Sequence, residues 1–566
     1  MTTRLTLTPH SPCTQGEWGW GLDLSISPRC LFHVWRFPSS ELIVCKGYYP
    51  GFASYMYAFS LQILPFVGKA WQLLTAGPEL GATRGGYPWS RQEGQAMNAT
   101  LSFGEQNFGG IDLGDLRRTD RLVRSVDSMC RHPGGTLPDK FPKPADLRAF
   151  YRLMDCDTVT HEIVIGAHAK QTRHLVGEVP GVVLVLHDAT ELDYTSKKSL
   201  EAQLGQIGQG THRGYICHNS LAVRLLPNDT NDGVVPETLG LLSQILHHRP
   251  RVAKDETPKQ ARERVSRESR LWLRGVQACG PAPAGVRCID ISDSLSDTFE
   301  YMAYEVTNQR SFVLRARENR RLAEPINQIE YLFDAVRTLP GQGERVVQVQ
   351  DSPGRKARTT KVQVAFTPVR IAPPGKALGE YDKLPLDLWA IRVWEPNTPK
   401  GEEPLEWILL SNRPVTCLED ALERIDWYES RWIIEEYHKG MKTGCGIETL
   451  QFEKIERLEP AIAAISAVAT TLLRLRDAAR APDADRRPAT DVVDRVYVDA
   501  LASCYPGRLK GKVTVLKFYM HVARLGGHQN RKGDGFPGWL TLWRGWTKLE
   551  SIVTGFTARP ITCGKT

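Results

Sequence analysis

Four residues in the segment WYESRWIIEEYHKGMKTG have the types and spacing of a site that handles phosphates. Tyr428, Arg431, Glu435 and Lys442 follow one another at intervals of 3, 4 and 7, so a helix would place all four on one stripe. A carboxylate between an aromatic ring and two cations suits metal-dependent chemistry on phosphates. The simpler interpretation is a solvated amphipathic helix. Glu436 is the alternative acid, although it lies about 100° round the helix from the stripe.

Two upstream stretches carry acids that could complete this site. In GVVLVLHDATELDY, the apolar run 182–186 predicts a buried central strand with Asp188 at its carboxyl end, where α/β sheets place their chemistry. In VRCIDISDSLSDTFEYM, a second apolar strand runs into three acids: Asp290, Asp293 and Asp297. Each acid alone is more often a cap or turn residue. With Glu435 they form an ordered Asp, Asp, Glu set whose hard oxygens suit divalent cations.

These motifs resemble those of the DDE cut-and-paste transposases of the insertion sequence four group, whose catalytic fold is RNase H-like. The resemblance runs from about residue 97 to 556. The family's helix signature is Tyr, two residues, Arg, three residues, Glu, six residues, Lys, and the segment from Tyr428 to Lys442 matches it at every position. The second Asp motif departs from the family pattern, because Ser294 replaces the usual Arg and Leu295 replaces a small or acidic residue. Asp290 therefore stays open as the alternative to Asp293.

The resemblance implies that Asp188, Asp293 and Glu435 hold two Mg²⁺ or Mn²⁺ ions about 4 Å apart and cut DNA. Arg431 and Lys442 would hold phosphates near the cut, the first bidentately and the second as a point charge. Tyr428 would contact the DNA backbone. In this family the cut end forms a hairpin and a base is flipped out.

Further DNA contacts follow from the same resemblance. Trp407 stands in EPLEWILLSNRPV where the family has its stacking Trp, although a lone Trp is more often sheet core. Arg315 and Arg317 are implied DNA contacts, with surface ion pairs as the alternative. Four arginines in the N-terminal segment have helical spacing and could bind phosphates at the element's ends: Arg117, Arg118, Arg121 and Arg124.

The resemblance divides the α/β chain into an RNase H-like catalytic core and appended regions. We expect a helical DNA-binding domain at 97–178, the core at 179–321 and 416–480, a β-rich insertion at 322–415, and a helical dimerisation region at 481–566 that contains a Trp539, Trp543 and Trp546 cluster. Residues 1–96 have few charges and no clear periodicity. We expect them to be a poorly ordered upstream extension, with translation starting at Met97; a genuine extra domain is the alternative.

Composition agrees with this interpretation without establishing it. The chain has 566 residues, 41% hydrophobic content and a formal net charge of +8, which is compatible with a nucleic-acid partner. The 12 cysteines include no CxxC pair, so neither a zinc site nor a disulfide framework is expected. We find no long uninterrupted apolar run and no signal peptide, and expect a cytoplasmic, nucleoid-associated protein that acts on double-stranded transposon ends and target DNA as a homodimer.

Two other functions fit the same residues. An RNase H-like nuclease would cut DNA without joining it to a target. A decayed or domesticated copy would bind DNA only, and the changes at Ser294 and Leu295 favour that alternative. The complete Asp, Asp, Glu set and the intact Tyr, Arg, Glu, Lys segment favour the active transposase.

Overall fold

The computed structural model describes the chain in segments that hold most of the residues after 100. The described residues are 21–23, 31–36, 43–48, 56–59, 101–227, 234–249, 256–257, 260, 264, 266–349, 356–375, 383–509, 511–531 and 536–557. The chain divides into two compact units, Met1–Met97 and Asn98–Thr566. In the second unit the fold is mixed α/β, as predicted, with one large mixed sheet and helices.

The first unit contains four short strands in its described part. They form an antiparallel sheet in chain order: β1 (Gly21–Asp23), β2 (Leu31–Arg36), β3 (Ile43–Tyr48) and β4 (Met56–Phe59). The remainder of 1–96 lies outside the described residues. The expectation of a poorly ordered extension therefore stays a prediction.

The second unit begins with a group of helices. They are α1 (Phe103–Phe108), α2 (Leu116–Arg131), α3 (Leu137–Lys140), α4 (Pro144–Met154) and α5 (His161–Gly177). Side chains of Ser102, Asp115 and Thr160 cap α1, α2 and α5 by accepting a backbone N–H of the first turn. The apolar faces of these helices join the main hydrophobic core.

A 12-stranded mixed sheet organises the rest of the unit. Its first strands are β5 (Gly181–Asp193), β6 (Gly205–Gln206), β7 (Arg213–Pro227), β8 (Val234–His247), β9 (Val286–Ser292) and β10 (Ser311–Arg315). The spatial order is β8, β7, β5, β9, β10, in which β5, β9 and β10 are parallel and β7 and β8 are antiparallel. Helices α6 (Leu271–Cys279) and α7 (Phe299–Thr307) flank β9 in sequence.

Strand β5 is covered on both faces, as its unbroken apolar run predicts. Leu184 and Leu186 lie in the main core, whereas Val183 and Val185 belong to a separate cluster on the other side of the strand. The strand is longer than predicted. It continues past Asp188 to Asp193 because β7 keeps pairing with it, while its parallel neighbour β9 ends at Ser292.

The region between β10 and the last helices extends the same sheet. It contains β11 (Arg321–Ile326), β12 (Ile329–Tyr331), α8 (Leu332–Arg337), β13 (Gly343–Val349), β14 (Arg358–Ile371), β15 (Leu386–Trp394) and β16 (Glu406–Ser411). Strand β16 pairs antiparallel with β10, so the β-rich segment continues the sheet across that edge. The alternating runs predicted from the sequence are therefore strands of a shared sheet.

The C-terminal part is helical. It consists of α9 (Leu418–Glu429), α10 (Trp432–Lys439), α11 (Ile455–Arg480), α12 (Arg495–Cys504), α13 (Val515–Leu525) and α14 (Trp539–Thr557). Helices α13 and α14 approach closely, since a Cβ on Gly526 or Gly545 would lie 1.8 Å from a backbone oxygen of the other helix. Trp539 and Trp543 stack with ring centroids 5.7 Å apart, and the stack is part of the main core.

Helix α11 is long and apolar enough to cross a membrane by length and composition, which the sequence analysis did not anticipate. Inside the protein, 76% of its apolar window is buried. Its residues Ile462 and Ile465 are part of the main core. The helix is therefore the central core helix of this unit. Eight cysteines between residues 130 and 504 are free thiols.

The expected single helix through Tyr428 and Lys442 is interrupted, so that prediction was wrong in its geometry. Helix α9 ends at Glu429, Arg431 occupies the N-cap of α10, and Gly440–Gly444 forms a π turn. The break has a local cause, because the Ser430 hydroxyl donates to the Asp426 carbonyl and the Arg431 N–H bonds only three residues back.

Candidate active site

The first two predicted acids occupy equivalent positions along two neighbouring parallel strands: Asp188 lies within β5, and Asp293 directly follows β9. In the register of β5 and β9, His187 lies opposite Ser292, so the next residues are Asp188 and Asp293. Asp188 accepts the Ala189 N–H at 2.8 Å. Asp293 caps the short 3₁₀ turn Ser294–Ser296 by accepting the Leu295 N–H at 3.1 Å. Both residues that depart from the family pattern, Ser294 and Leu295, therefore lie in the turn beside this acid, and Leu295 is exposed.

The third acid is joined to the first by an arginine. Arg431 donates from Nη1 to Asp188 Oδ2 at 2.9 Å and from Nη2 to Glu435 Oε1 at 2.6 Å. The side chains of Arg431 and Asp188 are 19% and 15% exposed, whereas Glu435 is 48% exposed. One guanidinium thus bridges a strand and a helix that are more than 240 residues apart in sequence.

The electrostatics of the cluster confirm that its members lie close together. The pKa of Asp188 is raised to about 6, mainly by burial, with the charges of Asp293 and Glu435 adding to the rise and the charge of Arg431 opposing it. Burial also raises the pKa of Asp293, with Glu435 adding to the shift. Burial opposes the charge of Arg431, but Asp188, Tyr428 and Glu435 raise its pKa above the ordinary value. The acids repel one another and the arginine partly compensates them.

The alternative acids lie elsewhere and have structural partners. Asp290 is fully buried and binds Arg310 through both oxygens at 2.8–3.1 Å, and His187 Nε2 at 2.8 Å. Burial disfavours its charge, but these partners hold the pKa of Asp290 below its usual value. Asp297 accepts the N–H groups of residues 317 and 318 and the guanidinium of Arg320. Glu436 contacts the buried Arg476. The structure therefore places Asp293, and not Asp290, beside Arg431 and Glu435.

Aromatic and basic side chains border the acid cluster. Tyr428 packs edge to face on Trp407, with ring centroids 6.1 Å apart, and Trp407 is half-buried. Arg315 donates to the Glu406 carbonyl beside this tryptophan, and its charge acts on Tyr428. Arg317 is exposed, and its charge lowers the pKa of Asp293 against the effect of burial. The structure therefore brings these four predicted DNA contacts to the edge of the acid cluster.

Lys442 does not share the stripe of the other three signature residues. It lies in the π turn and pairs with Glu448 Oε1 at 3.2 Å. Glu448 Oε1 also accepts the Asp193 N–H at 3.0 Å, so the pair secures the far end of β5.

A buried chain of hydrogen bonds behind the cluster was not anticipated. His161 Nε2 lies 3.1 Å from Gln244 Oε1, Gln244 donates to Asn219 Oδ1 at 2.8 Å, and Asn219 Nδ2 lies 3.1 Å from His438 Nε2. Burial, with the charges of Lys442 and Arg431, lowers the pKa of His438 to about 3. The imidazole is therefore neutral and accepts from Asn219. His438 is three residues from Glu435, so the chain ties α10 to β7, β8 and α5. The signal was the polar run HNS inside the buried strand β7.

The donor chemistry of the acid cluster fits a hard divalent cation. Carboxylate oxygens are the ligands that Mg²⁺ and Mn²⁺ prefer, and mutual repulsion among the acids is relieved by any cation between them. In this structure the bridging cation is Arg431. Among the described residues, no group of three or more His, Cys, Asp or Glu side chains is arranged to hold a metal ion.

The four N-terminal arginines lie on or near the surface of α2, mostly in local ion pairs. Arg117 pairs with Asp115 at 2.8 Å, Arg121 with Asp146 at 2.8 Å, and Arg124 with Asp120 at 2.9 Å. Arg118 instead donates to the Leu113 carbonyl and the Thr158 hydroxyl. Arg117 and Arg124 are the most exposed, at 91% and 66% of their side-chain surface.

A comparison with protein families gives this helical region an assignment. Residues 101–159 match the family model described as transposase DNA-binding. The matched segment comprises α1 to α4 and ends two residues before α5. It lies within the region predicted to bind DNA. The match supports DNA as a partner of this protein and a DNA-binding transposase as its class.

Proposed function

We propose that the protein is a metal-dependent DDE transposase of the insertion sequence four family. It would bind the inverted-repeat ends of its own element, excise the element through hairpin intermediates, and join it to target DNA. The observation that carries the proposal is that Asp188, Asp293, Arg431 and Glu435 come together where β9 ends beside β5. A structural role does not require two acids with raised pKa values, Asp188 and Asp293, beside a third acid and a partly exposed arginine.

The strand arrangement supports an RNase H-like core for this site. Three parallel strands, β5, β9 and β10, adjoin β7, which is antiparallel to β5, and β8, which is antiparallel to β7; Asp188 lies within β5 and Asp293 directly follows β9. The third acid is on a helix, α10, that packs against β5. Two acids from strands and one from a helix are the set that the sequence predicted.

Each chain residue has a proposed task. Asp188, Asp293 and Glu435 would hold Mg²⁺ or Mn²⁺ ions, which when bound activate the attacking oxygen and stabilise charge on the phosphorus and the leaving oxygen. Arg431 would bind a DNA phosphate bidentately. Trp407 would offer a stacking surface for an unpaired base, positioned by Tyr428 beneath it. The helices of 101–159 would hold the element's ends, and two copies of the chain would bring both ends together.

Cleavage of a linear DNA that carries the element's own ends tests the proposal. The full chain with Mg²⁺ or Mn²⁺ should give hairpinned ends and products joined to a target plasmid. Asp188→Asn should abolish both products. Asp387→Asn should abolish neither, because the Asp387 side chain lies on β15 and is 81% exposed. Cleavage without joining would instead identify a nuclease. End binding without cleavage would identify a DNA-binding protein only.

A further inference from the structure

We infer that Arg431 occupies the cation site of the acid cluster until DNA arrives, so that DNA binding precedes metal binding. This inference rests on the proposed function, and it adds an order of events at the same site. Arg431 spans Asp188 Oδ2 and Glu435 Oε1 at 2.9 and 2.6 Å, the two acids that come from different parts of the chain. The guanidinium therefore supplies, between these two acids, positive charge that a metal ion would otherwise supply.

The contacts leave the metal ligands engaged. Asp188 Oδ1 accepts the Ala189 N–H and Oδ2 accepts Arg431, so both oxygens of this acid have partners. Asp293 accepts the Leu295 N–H. A divalent ion that binds here must displace Arg431 from a pair of charge-assisted hydrogen bonds, which are the stronger kind. Metal affinity without DNA is thereby reduced.

A DNA phosphate would compete with the acids for the same guanidinium. Two of its five N–H groups, one on Nη1 and one on Nη2, are donated to acids here, so a phosphate that binds bidentately across these two nitrogens competes with the acids for them. A DNA phosphate beside the cluster would draw Arg431 away and leave Asp188, Asp293 and Glu435 with uncompensated charge. Their affinity for a divalent cation would then rise.

The backbone position of Arg431 is compatible with a movement of its side chain. It is the N-cap residue between α9 and α10, outside the regular hydrogen bonding of either helix. Two of the acids by contrast are fixed, Asp188 within a paired strand and Asp293 by its cap. Arg431 can therefore exchange partners while these two acids keep their positions.

Mn²⁺ binding to the full chain, followed by the electron paramagnetic resonance of the free ion, tests this order. Arg431→Gln should bind Mn²⁺ at least about tenfold more tightly than the wild type without DNA, since two charge-assisted bonds no longer compete. Adding Asp188→Asn to that variant should remove the gain. Arg495→Gln, which changes an exposed i,i+4 ion pair with Asp499, should have no effect. Arg431→Lys, which keeps the charge without the bridge, should fall between wild type and Arg431→Gln.

A linear duplex completes the test. The duplex should tighten Mn²⁺ binding by the wild type and should not tighten Mn²⁺ binding by Arg431→Gln. The Asp188→Asn chain on the same duplex is the control for Mn²⁺ ions held by the DNA itself. If Arg431→Gln and Arg431→Lys both stay folded by circular dichroism and bind Mn²⁺ no better than the wild type, the inference is wrong. The proposed function survives that result provided Asp188→Asn weakens binding. If Asp188→Asn weakens Mn²⁺ binding neither in the wild type nor in Arg431→Gln, the acids hold no metal and both proposals fall.

Discussion

Two arginine–carboxylate clusters include residues of β5 and of β9 or the turn after it, and they differ in burial and in charge compensation. Asp290 and Arg310 are 0% and 10% exposed, and both oxygens of Asp290 bind cationic or imidazole nitrogens. Asp188, Arg431 and the half-exposed Glu435 form an open cluster with like charges in reach of one another. A buried carboxylate with both oxygens bonded to a cation holds the strands together, whereas an incompletely compensated cluster is available to a ligand.

The alternation of a strand separates the two clusters. His187 and Asp188 are neighbours on β5, so their side chains point to opposite faces of the sheet. His187 joins Asp290 in the interior, where Ser220 also lies 3.0 Å from its Nδ1. Asp188 faces the edge where α10 begins. Chemically similar groups are thus buried or partly exposed according to the face of the strand that bears them.

The largest expected effect is a difference between Asp290, which lies on β9, and Asp293, which lies in the turn after β9. Asp293→Asn should lower DNA cleavage by about 10³-fold or more, because it removes a ligand of the proposed metal centre worth several kcal/mol in the transition state. Its unfolding midpoint in urea should change little. Asp290→Asn should lower the unfolding midpoint instead and leave the cleavage rate of the folded fraction near that of the wild type. The reverse pattern would exchange the roles assigned to these residues.

The two arginines should differ in stability. Arg310→Ala leaves the buried Asp290 without its main cation, and we expect a loss of about 3–5 kcal/mol in unfolding free energy. Arg431→Ala should cost less, about 1–3 kcal/mol, because Glu435 is 48% exposed to solvent and Asp188, whose pKa is already raised, can take up a proton when the arginine is lost. Urea titration of both variants at neutral pH measures the difference. Equal losses would mean that the open cluster is as structural as the buried one.

The acid cluster should also make the stability of the protein depend on pH. The folded pKa of Asp188 is about 6 against an ordinary 3.8, so folding favours the protonated form and the ionised form costs stability above pH 6. Asp188→Asn should therefore be more stable than the wild type at pH 8, by about 2–3 kcal/mol. The gain should shrink as the pH falls through 6 and vanish below 4, where both states of the wild type are protonated. A gain that is constant with pH would contradict the shift.

The smallest expected effect concerns the buried hydrogen-bond chain behind α10. Asn219→Ala leaves His438 Nε2 and the Gln244 amide without partners, which should cost about 1–3 kcal/mol. Because His438 is on the helix of Glu435, we also expect a lower cleavage rate with unchanged DNA affinity. Asn219→Gln provides the conservative comparison. If the variant lost DNA binding and cleavage together, the chain would be a general stabilising network and not a support for α10.

Much of the secondary structure was predictable because it depends on local pattern. The buried strand before Asp188 was evident from its apolar run, and the alternating segments after residue 321 from their strand periodicity. The end of β5 was placed at Asp188 because the sequence does not show which neighbours continue to pair. The single helix through Tyr428 failed at Ser430, where a side chain competes for backbone hydrogen bonds.

By itself the sequence determined which residue types were available and in what order: two aspartates after apolar strands, then Arg431 and Glu435 four residues apart. That spacing is local, so the Arg431–Glu435 bond needed only a helical turn. The tertiary structure alone decided that Asp188, 243 residues away, is the other partner of Arg431, and that Asp290 is buried with Arg310. Those outcomes depend on strand register and on which face of the sheet is covered, and both are set by long-range packing.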